Sequence, residues 1–416
     1  MRPSILAGLS IIYPSLTFAQ GSIQDLGTRG SPFAVSADGA TVVGARIVAG
    51  STGETEQAFR WTSANGLQAL PDGVSGWPYS IAYGVSADGS IVVGATNQGQ
   101  GTNTYLAACV WRAPQWSVEL LPSIGGSTAY GVSADGTVIV GVGQANANLP
   151  TGAVKWLNGT IQNLPAFQDQ PTIDARAVNG IGTTTVGSSY TPGTSVRAVL
   201  WSSSGPASLG SLFGTLSPSY AQAISDSGNV VVGYASAGNG VTESFRWSIS
   251  GGMVGLGHLQ ANPGLDETAS GVSGDGQIIV GWATQNNDYC GFIWQDHFNM
   301  MPLWSVASAS GVNLGSWYSF GRVFGISQSG TVITGMGHVT NDQNAHMFVL
   351  TLLRRCYANC DGSTVAPVVT ANDFQCFLNA FAAGQSYANC DGSTVTPLLT
   401  ANDFQCFLNA FSASCP

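Results

Sequence analysis

Short apolar runs, each closed by a glycine, recur along most of the chain at nearly constant intervals, and this rhythm decides the fold class before any single run does. Residues 34–44 read Ala-Val-Ser-Ala-Asp-Gly-Ala-Thr-Val-Val-Gly, and residues 84–94 repeat them as Gly-Val-Ser-Ala-Asp-Gly-Ser-Ile-Val-Val-Gly. Further copies end at Gly141, Gly187, Gly233, Gly281 and Gly335, so the unit occurs seven times at spacings of 46 to 54 residues. Each unit predicts four strands. The first enters a tight turn at Asp-Gly (Asp38-Gly39, Asp88-Gly89, Asp135-Gly136, Asp275-Gly276), where the glycine, and often its neighbour, is expected to take positive φ. The second is a β-branched run such as Thr41-Val42-Val43, apolar on both faces as in a strand buried within a stack. A third strand ends in Trp61, Trp111, Trp156, Trp201, Trp247 or Trp294, with Leu350 in the seventh copy, and a fourth follows, as in residues 67–70 and 161–164.

Four short strands in repeats of about 47 residues predict an all-β, seven-bladed β-propeller over residues 20–355. The seventh unit lacks a fourth strand, whereas Ile23-Gln24-Asp25-Leu26-Gly27 looks like a fourth strand without its first three. The N-terminal strand is therefore expected to complete the last blade and remove the open edges.

Composition adds the compartment and excludes some partners. Only 8% of residues are charged while 55 of 416 are glycine, which is the make-up of a turn-rich β protein. The net charge is −10 and no Lys/Arg cluster is present, so nucleic acid is not an expected partner. Residues 1–19 carry Arg2, an apolar stretch from Ile5 to Phe18 and a small residue, Ala19, before Gln20, which predicts a cleaved signal peptide and a secreted, extracellular protein. No later stretch approaches the ~20 apolar residues of a membrane span. The propeller repeats resemble the extracellular HAF repeat family through Asp25-Leu26-Gly27, Val42-Val43-Gly44 and Ala58-Phe59-Arg60-Trp61. That resemblance implies secretion and repetition, and no defined reaction.

Beyond Arg355 the pattern changes, and six of the eight cysteines fall in residues 356–416. Tyr-Ala-Asn-Cys-Asp-Gly-Ser-Thr starts at Tyr357 and again at Tyr387, each time followed by Thr-Ala-Asn-Asp-Phe-Gln-Cys-Phe-Leu-Asn-Ala-Phe, so a loop and a helix occur twice. Thr370 with Asp373, and Thr400 with Asp403, predict capping boxes. Phe374, Phe377, Leu378 and Phe381 share one helical face, and Gly384 is placed to end the first helix. Oxygen-bearing Asn359, Asp361 and Ser363, with Asp373, form a calcium-loop pattern that Asn389, Asp391, Ser393 and Asp403 repeat, which predicts two Ca²⁺ sites. Each loop is three residues longer than an EF-hand loop and offers two carboxylates, which predicts weak binding.

This module resembles the cysteine-containing dockerins of secreted bacterial proteins through its Asn-Cys-Asp-Gly and Asp-Phe-Gln-Cys-Phe phrases. The resemblance implies calcium-dependent docking onto a cohesin-like receptor on a scaffold or cell surface. Of fifteen possible connectivities for six cysteines, local symmetry favours Cys360 with Cys376 and Cys390 with Cys406, leaving Cys356 and Cys415 to clasp the ends. Cys109 and Cys290 are expected to remain unbridged in the ring.

No catalytic residue is assigned. His258, His297, His338 and His346 all lie in the last three units and read as surface-loop histidines, with His297 beside Asp296 the pair to test. Asp266 and Glu267 read as solvated loop acids. Trp77, Tyr79, Trp116, Trp304, Trp317 and Tyr318 fall outside the repeat frame, where they either pack between blades or stack on the rings of a polysaccharide. The sequence therefore favours a docked binding or structural protein, with a docked polysaccharide-degrading glycoside hydrolase or lyase as the alternative.

Overall fold

The computed structural model describes residues 18–50, 53–73, 79–98, 105–191, 195–214, 217–238, 240–259, 266–285, 288–295, 299–354, 370–384, 388 and 399–412. The strands form seven four-stranded antiparallel sheets, as the repeats predict. Blade one runs from its inner strand Gly30–Val35 through Thr41–Gly50 and Gly53–Thr62 to the outer strand Gly66–Ala69. Inner strands of successive blades contact one another around the whole ring, including the first against the seventh. In blade seven, strands Trp317–Ile326, Val332–Val339 and His346–Arg354 are completed by Phe18–Thr28, so the N-terminal strand closes the last blade. Phe18 and Ala19, the end of the expected leader, belong to that strand.

Three local devices explain the repeated phrases. In the Ser-Ala-Asp-Gly turn of blade one the Ser36 N–H donates to Thr41 O at 2.8 Å, and the Gly39 N–H donates to Ser36 O at 3.0 Å. The Ser36 hydroxyl accepts the Thr41 N–H at 2.9 Å. The same pair of backbone bonds recurs in all seven blades, with Asn179 replacing serine in blade four. Only the glycine takes positive φ, from 71° at Gly89 to 79° at Gly228, so the expectation that its neighbour shares this conformation is corrected. The turn is a serine-stapled loop rather than a two-residue hairpin.

The glycine of Val-Val-Gly has a different reason. Every inner strand carries a bulge opposite it, as between Ala82 and Gly84 in blade two, and this draws the neighbouring backbone close. A Cβ on Gly94 would lie 1.9 Å from Ile81 O, and one on Gly141 2.0 Å from Thr128 O.

The third device joins blades. The Nε1 groups of Trp111, Trp156 and Trp201 donate at 2.8 to 2.9 Å to the carbonyls of Pro71, Pro122 and Pro165, each at the end of the preceding blade. The apolar core accordingly sits between blades: Val43, Ala58 and Leu70 of blade one pack with Val92, Cys109 and Trp111 of blade two. Val332, Met347 and Val349 of blade seven pack with Val42 and Phe59 of blade one in the same way, which closes the ring. A helix at Leu303–Ala309, inserted before blade seven and buried through Leu303, Val306 and Ala307, was not foreseen.

The C-terminal module contains helices Ala371–Ala382 and Ala401–Ser412, as expected. Thr370 caps the first in a complete capping box with Asp373, and Gly384 follows its end at φ 67°. In the second, Asp403 accepts from the Thr400 N–H at 2.7 Å. Phe377 stacks on its counterpart Phe407 at 4.0 Å, so the two apolar faces bury each other.

Candidate functional site

The bulge that forces glycine onto the second strand also supplies one extra residue per inner strand. These seven residues are Phe33, Tyr83, Tyr130, Arg176, Gln222, Ser270 and Phe324, and all are half-buried. Because the inner strands surround the axis, the extra side chains meet across blade boundaries. Phe324 and Phe33 lie 5.5 Å apart between ring centres, Phe33 and Tyr83 5.2 Å, and Tyr83 and Tyr130 5.2 Å. The Arg176 guanidinium covers Tyr130 at 4.5 Å. Four aromatic rings and one cation therefore form a continuous arc, and Gln222 and Ser270 complete the circle.

Asp174 and Arg176 give this arc its charge. The Arg176 Nε donates to Asp174 Oδ2 at 2.6 Å, while Asp174 Oδ1 is buried and has no hydrogen-bond partner among the described residues. Burial opposes the Arg176 charge, but Asp174, Tyr130 and Tyr234 offset it and its pKa is raised. Burial also pushes the Tyr83 phenol up to about 12 and raises Tyr130, Tyr220 and Tyr234. These phenols therefore stay protonated and able to donate at neutral pH. Tyr220 stacks on Tyr234 at 4.9 Å beside them.

Towards the turn end of the axis the arc gives way to an apolar ring. One β-branched residue per blade, from Val35 to Ile326, lines a cavity of about 160 Å³ whose only polar side chains are Asp226 and Gln328. Beneath it the turn peptides bond blade to blade, as where the Ala37 N–H donates to Ala87 O and the Ala134 N–H to Gly180 O, at 3.1 and 2.9 Å. The arc lies two residues further along each inner strand from the turns than the lining of this cavity.

The other sequence candidates divide into three groups. Asp296, His297 and Trp77, together with Asn359, Asp361, Ser363, Asn389, Asp391 and Ser393, lie outside the described residues. So do Cys356, Cys360, Cys390 and Cys415. Asp373 and Asp403 are buried in the first turns of their helices, and Oδ2 of each accepts from its capping threonine. No group of three or more metal-capable side chains occurs among the described residues. Cys109 and Cys290 are free thiols, as expected for the ring.

Several readings need correction. Glu267 is not a solvated loop acid: it begins an inner strand, is 1% exposed, and accepts from the Leu259 N–H at 3.2 Å. Burial raises its pKa, and His258 Nδ1 stands 3.4 Å from its Oε2. His338 and His346 lie on strands rather than in loops, with His338 stacked on Tyr318 at 6.0 Å. Trp317 is 7% exposed, and Trp304 packs on Phe320 at 5.3 Å. Trp116 lies under the Arg60 guanidinium at 4.8 Å. Of the six aromatics outside the repeat frame, these three follow the packing alternative given for them rather than sugar stacking, whereas Tyr318 is 54% exposed. The axial arc itself was missed, because Phe33, Tyr83 and Tyr130 look like ordinary strand residues; their one signal is recurrence just before Ala-Val or Gly-Val.

No family profile matches the chain, and no curated protein matches it by sequence. Similar solved structures are propellers. The propeller domain of the Trilobed protease from Pyrococcus furiosus aligns at a TM-score of 0.51 and 10% identity, over 79% of this chain and 94% of that one. Oligogalacturonate lyase from Vibrio parahaemolyticus aligns at 0.50 and 10%, over 80% and 96%. Acylaminoacyl peptidase from Pyrococcus horikoshii aligns at 0.51 and 10%, over 78% of this chain. The chain spans 51% of that peptidase and 63% of TolB from Acinetobacter baumannii, the latter at a TM-score of 0.44. At these identities the likeness establishes the propeller fold and nothing about activity.

Proposed function

We propose that the protein is a secreted binding protein whose propeller presents a carbohydrate-binding surface at its axial mouth. Its duplicated C-terminal module anchors it to a cohesin-like receptor on a scaffold or cell surface in a calcium-dependent manner. The observation that carries the first part is the arc of Phe324, Phe33, Tyr83 and Tyr130 with Asp174 and Arg176 at its end. Half-buried rings offer apolar faces to the C–H face of a sugar. The phenols and Arg176 donate to its oxygens, and Asp174 Oδ1 accepts from a hydroxyl. A non-catalytic reading is preferred because Asp174 is already paired with Arg176, which suits a ligand-holding carboxylate better than a proton-transferring one.

A glycan array probed with the full chain tests this reading. Tyr83→Ala and Tyr130→Ala should each weaken the strongest signal about tenfold, the scale of one lost ring contact and its donor. Release of polysaccharide fragments that Glu267→Gln abolishes would establish the enzyme alternative instead.

The anchoring half rests on the HAF-like and dockerin-like phrases and on the paired capped helices. Oδ2 of Asp373 and of Asp403 accepts from the capping threonine, and in this reading the same two carboxylates also serve the loop-borne sites. The Cys360–Cys376, Cys390–Cys406 and Cys356–Cys415 pairings would staple these loops onto their helices. Calorimetric calcium titration of the full, unreduced chain should give two weak sites, each removed by Asp361→Ala or Asp391→Ala. Absence of binding heat and of any thermal stabilisation would end the calcium claim.

A further inference from the structure

The seam between blades six and seven holds a second pocket of about 190 Å³, bordered by Asp288, Tyr289, Arg322, Met336, His338 and Ala345. Arg322 dominates it. Its guanidinium carbon lies 3.9 Å from the centre of the Tyr289 ring and 5.2 Å from that of Trp282, and it donates to the Tyr289 hydroxyl. Trp282 and Tyr289 brace each other edge to face at 5.2 Å. The two rings therefore hold the cation in place without neutralising it.

Neutralisation is what the site lacks. Arg29, Arg112 and Arg176 each pair with a carboxylate, whereas among the described residues none lies within ion-pairing distance of Arg322, and its Nε has no hydrogen-bond partner. Arg60 and Arg246 likewise have an unbonded Nε and no carboxylate within ion-pairing distance among the described residues, so what distinguishes Arg322 is that its cation borders a cavity. Around it stand His338, stacked on Tyr318, and the apolar Met336 and Ala345, with exposed Asp288 at the rim. Gly321 leaves the wall bare, since a Cβ there would stand 3.7 Å from Tyr289 Cβ on the pocket side.

We propose that this pocket binds a small organic carboxylate built on one six-membered ring. Arg322 and His338 hold the carboxylate, Tyr289 and Met336 pack against the ring, and Asp288 accepts from a hydroxyl. An engineered cavity of about 150 Å³ holds benzene, so the volume suits one such ring and not two. The site is separate from the axial arc and does not depend on it.

Calorimetric titration of the full chain with D-glucuronate, D-glucose and benzoate tests this. At least one acid should bind one to one, with glucose at least tenfold weaker than glucuronate, because a charge-assisted contact is worth about one to two orders of magnitude. Tighter glucuronate identifies a sugar acid, and tighter benzoate an apolar one. Arg322→Gln should lose tenfold or more and His338→Gln several-fold, and added salt should weaken both acids. Tyr83→Ala should leave the affinity unchanged, which separates this pocket from the axial site. If Arg322→Gln fails to fold, His338→Gln and the salt dependence decide. The proposal is overturned by no saturable heat from either acid at millimolar concentration, by glucose binding as well as glucuronate, or by insensitivity to both substitutions.

Discussion

His346 shows how much one residue can carry in this ring. It lies on the third strand of blade seven, where Nδ1 meets Asp25 Oδ2 at 2.8 Å and Nε2 meets Asp342 Oδ2 at 3.1 Å. Asp25 belongs to the closing strand, so the imidazole ties that strand to its blade. Burial opposes its charge, but the two carboxylates outweigh it and the pKa is raised above the ordinary 6.5, while backbone and His346 contacts lower that of Asp342. A raised folded-state pKa stabilises the fold fully below the unfolded value, about 6.5, and this stabilisation is lost as pH rises through the folded value. Melting temperature followed from pH 5.5 to 9 should therefore fall across that window in the native chain and fall less in His346→Gln. An identical slope in the two would remove the clasp. The sequence showed an asymmetric histidine distribution, but the partners of His346 are 321 and four residues away, and only ring closure brings Asp25 to it.

At the scale of the element, the tryptophan that ends the third strand in six of the seven blades was legible as a repeat mark, but its function was not. Trp156 is fully buried, and its Nε1 proton reaches across the seam to Pro122 O. Trp156→Phe should cost about 1 kcal/mol for the lost hydrogen bond plus a small cavity, and Trp156→Ala about 3–5 kcal/mol, measured by urea unfolding. Equal costs would show that the hydrogen bond and the ring volume do not contribute separately. The capping boxes and the phenylalanine faces of the two C-terminal helices were legible because caps and helical periodicity are local. Two elements were not. The helix Leu303–Ala309 left only a lengthened repeat spacing as its trace. The inner-strand bulges left the glycine of Val-Val-Gly, whose necessity lies in a carbonyl oxygen on the neighbouring strand.

At the scale of the molecule, closure is the decisive property. Without Phe18–Thr28, the third strand of blade seven, His346–Arg354, would present an open edge. Deleting residues 21–28 should lower the melting temperature and promote self-association, readable by light scattering; a monodisperse variant of unchanged stability would show that the closing strand is dispensable. Residue order alone determined the number of blades, their four-strand grammar and the source of the closing strand. Repeat period, alternation and turn chemistry are properties of neighbouring residues, and these are what a sequence records. Tertiary structure alone decided that Phe324, Phe33, Tyr83, Tyr130 and Arg176 form one arc, that Glu267 is buried, and that Arg322 stands stacked without an anion. Each of these depends on side chains from different blades meeting at an axis or a seam. Their separation in the sequence is set by blade length, whereas their separation in space is set by the curvature that closes the ring.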